Sequence, residues 1–249
     1  MKQAIALFFT GLLLIGLIPT ATSQTGPSFS MSFEDNQLNL DVTSGANGTA
    51  CTNLTISNDG QVDIIVDGNT TGDNLVISPN NFSVNVNTGE RTSITMCVTA
   101  AVGSIHRTIQ VKTIASGKDQ DGNSAGNKEE DIAAVVEQYA GLSGRPELPI
   151  YEKGCANNVF TTSFIIINNG NYRDTIAVEV LNAKDLEDGG FTIVLQAVQY
   201  QIDASGEQPV EVTITTPAFD AAGDNYHTII FQAKTTFQGE TISHNTTVI

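Results

Sequence analysis

The sequence contains no tryptophan, only three cysteines among its 249 residues, and 11 basic residues against 27 acidic ones. Any aromatic platform for stacking sugar rings must therefore come from the five tyrosines and eleven phenylalanines, which disfavours a carbohydrate-binding module without excluding it. The formal net charge of −16 repels phosphate backbones and anionic lipid surfaces. We therefore expect no nucleic-acid partner.

Sequence motifs of catalysis and of zinc binding are also lacking. There is no Gly-x-Ser-x-Gly elbow, and the paired carboxylates Glu129 and Glu130 lie in a polar stretch where solvated charge is the default. His106 and His227 occupy matching places in two copies of a repeat, which places them far apart, and His244 has no Cys or His at ligand spacing. We predict neither an enzyme nor a zinc site.

The N-terminus has the pattern of a secretory signal peptide. Lys2 is followed by an apolar run over residues 4–18 and then by small residues that end at Ser23. The run is shorter than the roughly 20 residues that span a bilayer, so we predict cleavage after residues 1–23. No second apolar stretch follows, which predicts a secreted, cell-envelope-associated protein without direct membrane insertion after processing.

The remaining chain repeats one pattern. Matching segments occur in the same order on the two sides of residues 144–146: 54–60 and 164–170, 88–98 and 205–214, 105–112 and 226–234. Self-similarity over this span indicates duplicated domains.

Most segments alternate between apolar and polar residues, which predicts half-buried antiparallel strands. Residues 131–139 fit a helix as well, but the matching place in the second copy favours a last strand. The predicted fold class is all-β, with two tandem immunoglobulin-like β-sandwiches. The predicted limits are residues 24–141 for the first sandwich, 142–148 for a linker and 149–249 for the second sandwich.

Three turn and strand motifs carry a resemblance to a known family. They are the Asn-x-Gly turns at residues 58–60 and 168–170, the Gly-Glu turns at 89–90 and 206–207, and the Tyr-x-x-Ile strand at 226–229. With these motifs the halves resemble the CARDB-like immunoglobulin-fold modules of archaeal and bacterial surface proteins, including modules associated with α-galactosidase-like enzymes. The resemblance implies an extracellular, non-catalytic spacer or adhesion module.

Alternation also predicts one disulfide. Leu54 marks the buried face of its strand and Met96 that of another, so Cys51 and Cys97 both face the opposite way. If the two strands are neighbours, a cross-strand bridge forms and leaves Cys155 unpaired. The alternative is three free thiols.

Five asparagines begin a glycosylation sequon, as expected for an exported chain. They are Asn47, Asn53, Asn69, Asn81 and Asn245.

One polar segment has oxygen donors at the spacing of a calcium loop. The donors at positions 1, 3, 5, 9 and 12 are Asp119, Asp121, Asn123, Asn127 and Glu130. The glycine needed at position 6 is replaced by Ser124, and the segment before the loop is strand-like. The alternative is an expanded polar hairpin loop.

Taken together, these patterns predict a non-catalytic, secreted structural or adhesion protein that acts by displaying β-sandwiches to other surface proteins. One alternative is a self-assembling filament or surface-layer subunit joined through strand edges. Another is a glycan-binding accessory module that depends on Tyr200 or Tyr226. No cofactor is expected other than a possible calcium ion.

Overall fold

The computed structural model of the protein describes residues 26–43, 45–147, 156–218 and 227–248. In this part of the chain the regular structure consists of seventeen strands and one short helix. The signal peptide, Cys155 and Tyr226 lie outside the described residues. Within these ranges, no helix is both long enough and apolar enough to cross a bilayer.

The first sandwich is formed by nine strands, β1 (Phe29–Phe33), β2 (Gln37–Leu40), β3 (Gly48–Asn58), β4 (Ile64–Gly72), β5 (Leu75–Ser78), β6 (Asn81–Val86), β7 (Arg91–Ala100), β8 (Arg107–Asp119) and β9 (Ser124–Val136). Sheet I has the order β1-β3-β7-β5, and sheet II has the order β2-β9-β8-β4-β6. All neighbours are antiparallel except β2 and β9, which are parallel.

The second sandwich is formed by β10 (Leu142–Pro146), β11 (Val159–Asn168), β12 (Asp174–Val180), helix α1 (Ala183–Asp188), β13 (Thr192–Leu195), β14 (Gln199–Ile202), β15 (Glu207–Thr215), β16 (Ile229–Phe237) and β17 (Glu240–Val248). Sheet III has the order β10-β11-β15-β13, and sheet IV has the order β14-β12-β16-β17. These two sheets enclose one core, in which the rings of Phe164 from sheet III and Phe231 from sheet IV stack 4.4 Å apart.

Period-two alternation explains why these segments become strands. In β3 the side chains of Leu54 and Ile56 are buried while Thr55 and Ser57 face outward, and the same parity recurs along β7 and β11. One face of each sheet therefore supplies the core and the other stays polar.

The two sandwiches share one strand order, in agreement with the repeat in the sequence. In the first copy β4 and β6 lie in one sheet while the intervening β5 lies in the other. In the second copy β12 and β14 share a sheet while β13 lies opposite. The predicted fold class, two tandem immunoglobulin-like sandwiches, is confirmed.

The repeated Asn-x-Gly motif has the same structural role in both copies. The side-chain amide of Asn58 donates to the carbonyls of Val62 and Val86, at 2.8 and 3.0 Å. Asn168 donates in the same way to the carbonyls of Tyr172 and Ile202. Both side chains are buried, so each one fastens a turn to a neighbouring connection of its own sandwich.

The structure corrects the predicted linker over residues 142–148. Residues 142–146 form β10, which pairs with β11 from Leu142 opposite Asn168 to Pro146 opposite Phe164. Gly144 and Pro146 suggested a flexible connection, but β10 is an edge strand, where a proline without an N–H is tolerated. Residues 137–141 alone separate β9 from β10. The prediction of a last strand rather than a helix after residue 131 is confirmed by β9.

Candidate functional site

The two cysteines expected to pair lie directly opposite each other on β3 and β7. Cys51 and Cys97 are register partners, their Cα atoms are 4.0 Å apart, and a disulfide joins their sulfur atoms. Their neighbours Thr52 and Met96 are buried, so the bond lies on the outer face of sheet I. It fastens two strands that the backbone already pairs.

The predicted calcium loop does not form as a loop. Asp119 ends β8, whereas Asn127 and Glu130 lie along β9, opposite Ser116 and Thr113. An extended strand advances about 3.3 Å per residue, so the last two donors are carried away from the hairpin tip. In the part of the chain that the structure describes, no group of three or more His, Cys, Asp or Glu residues is placed to hold a metal ion. Calcium binding by this segment stays a prediction.

At the hairpin tip the Asp119 carboxylate is used by the protein itself. It accepts hydrogen bonds from the side-chain amide of Asn123 at 2.8 Å and from the backbone N–H groups of Asn123 and Asp121 at 2.7 and 2.9 Å. The Asn123 amide, followed by these backbone donors, holds the pKa of Asp119 below its ordinary value, against an opposing effect of desolvation. The ionised carboxylate therefore organises the turn.

The sequon asparagines lie on the surface of both sandwiches. Asn47, Asn69, Asn81 and Asn245 are exposed, and Asn53 is half-buried. Asn69 and Asn81 are register partners on β4 and β6, and the Asn69 amide donates to Asn81 Oδ1 at 2.8 Å. The amide of Asn53 donates to Glu34, also at 2.8 Å. Attachment of sugars to these residues stays a prediction.

Tyr200 does not present its ring to solvent as the glycan-binding alternative requires. It lies on the inner face of β14, with the same parity as the buried Ile202, and packs against the core of the second sandwich. Burial raises the pKa of its hydroxyl. The alternation of β14 was visible in the sequence, but which face would be covered was not.

A junction between the two sandwiches is centred on Asn171, which the sequence motifs did not single out. Asn171 lies in the turn between β11 and β12 and is only 1% exposed. Its side-chain oxygen accepts from the backbone N–H of Tyr139 at 2.9 Å, and its amide donates to the carbonyls of Glu137 and Ser104 at 2.8 and 3.2 Å. All three partners precede β10 in the chain.

The backbone of Asn171 is held at the same junction. Its N–H donates to the Tyr139 carbonyl at 3.2 Å, and its carbonyl accepts from the His106 N–H at 2.8 Å. The His106 ring nitrogen Nδ1 lies 2.7 Å from the Val136 carbonyl at the end of β9. A turn of the second sandwich is thereby fastened to two segments of the first, and His106 takes part in this contact.

A second feature is a cleft in sheet IV between β12 and β16. These strands pair only from Ala177 opposite Lys234 to Val180 opposite Phe231. Beyond this point they separate, and the hydroxyl of Thr235 reaches across the gap to Asp174 Oδ2 at 2.7 Å. We call this opening the sheet IV cleft.

The sheet IV cleft has a volume of about 610 Å³ and is lined by polar side chains. The walls include Thr175, Gln199, Gln232, Lys234, Thr236 and Thr241. In the first sandwich the corresponding strands β4 and β8 stay paired along their whole shared length, from Ile64 opposite Asp119 to Gly72 opposite Val111. The second sandwich therefore lacks backbone pairing at a position where the first sandwich has it.

No protein-family model matches the sequence, and no curated protein matches it. Among solved structures, a protein of unknown function from Porphyromonas gingivalis W83 has 10% identity and a TM-score of 0.34, covering 87% of this chain and 98% of that one. The D00-D0 domain of intimin has 11% identity and a TM-score of 0.36, with 89% and 99% covered.

The E. coli chaperone DraB has 12% identity and a TM-score of 0.28, with 89% of this chain and 98% of that chain covered. Such low identities and TM-scores support no statement about function. The assignment of the fold rests on the strand order and the burial pattern.

Proposed function

We propose that the protein is an exported, non-catalytic structural or adhesion protein that displays two β-sandwiches at a fixed spacing. The observation that carries the proposal is the junction at Asn171, because a flexible tether has no need of a buried amide whose donors and acceptor are all used. When the two sandwiches are fixed to each other, the position and orientation of one determine those of the other. This is what a spacer or a surface-display protein requires.

Export is part of the same proposal. It is supported by the signal-like residues 1–23, by the surface position of the sequon asparagines, and by a disulfide on an outer sheet face, which persists in oxidising compartments. The resemblance to CARDB-like modules belongs here too and is consistent with an envelope-associated role. The expected partners are other surface proteins.

Two measurements test the proposal, one of signal-peptide removal and one of the rigidity of the junction. Expression of the full chain in a secreting host should yield a protein that begins at Gln24, identified by mass spectrometry of the N-terminal peptide. The rotational correlation times of the two sandwiches, measured by ¹⁵N relaxation, should be equal. Retention of residues 1–23, or two sandwiches that tumble independently, would count against the proposal.

A filament or surface-layer subunit is the second candidate, favoured by the matching edge strands β5 and β13. Val76 on β5 is 70% exposed and Val194 on β13 is 55% exposed, and each strand lies at the end of its sheet. Exposed edges that carry apolar side chains are templates for strand pairing between chains.

Sedimentation velocity distinguishes this second candidate from display by single molecules. Edge pairing predicts association that grows with protein concentration and disappears when Val76→Lys and Val194→Lys are combined. A monomer at every concentration would rule the filament out and leave the display role.

A further inference from the structure

We propose that the sheet IV cleft binds an uncharged saccharide. This names a ligand class for the adhesion role proposed above and rests on that role, although the fixed pairing of the sandwiches does not depend on it. The two copies differ here, because β4 and β8 of the first sandwich form a continuous ladder of backbone hydrogen bonds. In the second sandwich the ladder stops at Ala177.

The cleft walls contain hydrogen-bonding groups that the protein leaves unused. In the described part of the chain, the side chains of Thr175, Gln199, Thr236 and Thr241 make no hydrogen bond, and all four line the cleft. Three hydroxyls and one amide offer both donors and acceptors. A ligand with several hydroxyl groups of its own matches this set better than an apolar ligand does.

Charge at the cleft favours a neutral ligand over an ionic one. The ammonium group of Lys234 is paired with Glu179 at 2.9 Å. The carboxylate of Asp174 accepts from the hydroxyl of Thr235 and from the N–H of Thr175, both at 2.7 Å. The charge of Lys234 is thus balanced by Glu179, the Asp174 carboxylate already accepts hydrogen bonds from the protein, and the net charge of −16 repels anions.

Size is consistent with one to a few sugar rings. A volume of about 610 Å³ lies within the usual range of small-molecule sites, roughly 300–1,000 Å³. No tryptophan exists in the chain and Tyr200 faces the core, so the site has few means of stacking on a sugar ring. We therefore expect weak, hydrogen-bond-dominated affinity of the kind that becomes useful when many copies are displayed together.

The test is saturation-transfer difference NMR on the mature full chain. The probes are galactose, glucose, mannose, N-acetylglucosamine, lactose, cellobiose and diacetylchitobiose at millimolar concentration. At least one of them should show saturation transfer. Gln199→Ala should weaken its binding about tenfold through the loss of one or two hydrogen bonds.

A second variant and a control separate binding from folding. Ala177→Phe places a ring at the inner end of the cleft without removing a polar group, and it should abolish the signal. Gln110→Ala removes the same amide from an exposed position of β8 in the first sandwich and should leave binding unchanged. Unfolding curves of all variants verify that each one is folded.

Three results would overturn the inference. They are the absence of saturation transfer from every probe, an undiminished signal in both cleft variants, and stronger binding of the anionic sugars glucuronate or N-acetylneuraminate than of neutral ones. Relaxation measured on the same samples reports on the junction separately. Loss of sugar binding with equal correlation times would therefore overturn the cleft and leave the display role intact.

Discussion

Replacement of Asn171 by alanine should uncouple the two sandwiches without unfolding either one. The variant loses three side-chain hydrogen bonds, to Tyr139, Glu137 and Ser104. At about 1 kcal/mol net for each bond, the docked arrangement loses about 3 kcal/mol, which is about a hundredfold in the equilibrium between docked and separated sandwiches. The backbone hydrogen bonds of residue 171 are the same in both proteins, so the difference between them reports on the side chain alone.

The assay compares ¹⁵N relaxation and calorimetric unfolding of the wild-type protein and the variant. We expect one correlation time and one cooperative transition in the wild type, and two correlation times with separated transitions in Asn171→Ala. Gln61, the residue at the matching turn position of the first sandwich, is exposed. Gln61→Ala therefore serves as the matched control and should behave as the wild type does.

A particular result would refute this reasoning. If Asn171→Ala keeps a single correlation time and the wild-type orientation between the sandwiches, the buried amide does not hold the junction. The Asn171 junction would then no longer support a fixed spacing between the sandwiches.

Three further predictions concern stability. Gly117→Ala should cost about 1–3 kcal/mol in urea unfolding, because its new Cβ would lie 2.8 Å from the buried ring of Phe29, whereas Gly26→Ala meets no atom within 4 Å and should be neutral. Asn168→Ala should cost about 2–4 kcal/mol, since it leaves buried carbonyls and a buried N–H without a partner. Asp119→Asn should flatten the loss of stability below about pH 4, because the lowered pKa of Asp119 contributes stability that is present above its unfolded pKa and lost as the pH falls through the folded one.

Each of these predictions has an outcome that would contradict it. Equal midpoints for Gly117→Ala and Gly26→Ala would mean that Phe29 moves aside at no cost. An Asn168→Ala variant as stable as the wild type would mean that water replaces the amide. Identical pH profiles for the wild type and Asp119→Asn would mean that ionisation of the Asp119 carboxyl does not contribute to the stability of the protein.

Features set by local alternation were predictable from sequence. The pairing of Cys51 with Cys97 required only that each residue have the opposite parity to its buried neighbours and that the two strands be adjacent. The strand at the end of the first sandwich followed from comparison of the copies, although residues 131–139 alone also fit a helix. The period of two decided the first case, and the second copy decided the other.

Features that depend on which segments pair could not be read from residue spacing or composition. Donor spacing from Asp119 to Glu130 matches a calcium loop only if the chain coils, and instead it runs straight along β9. Residues 142–146 have the composition of a linker, but the adjacent edge of β11 recruits them into sheet III. A linker-like composition is compatible with several structures, and the strand available for pairing determines which of them forms.

By itself, the sequence determined a duplicated, all-β, acidic chain, because repetition, strand periodicity and net charge follow directly from the type and order of the residues. Only the tertiary structure decided the junction and the cleft. In the sequence, Asn171 does not differ from other turn asparagines. In the fold, its amide donates to a carbonyl just after β9 and to another in the connection before β8. The separation of β12 from β16 has no mark in either strand, because whether two strands stay paired is set by the whole sandwich around them.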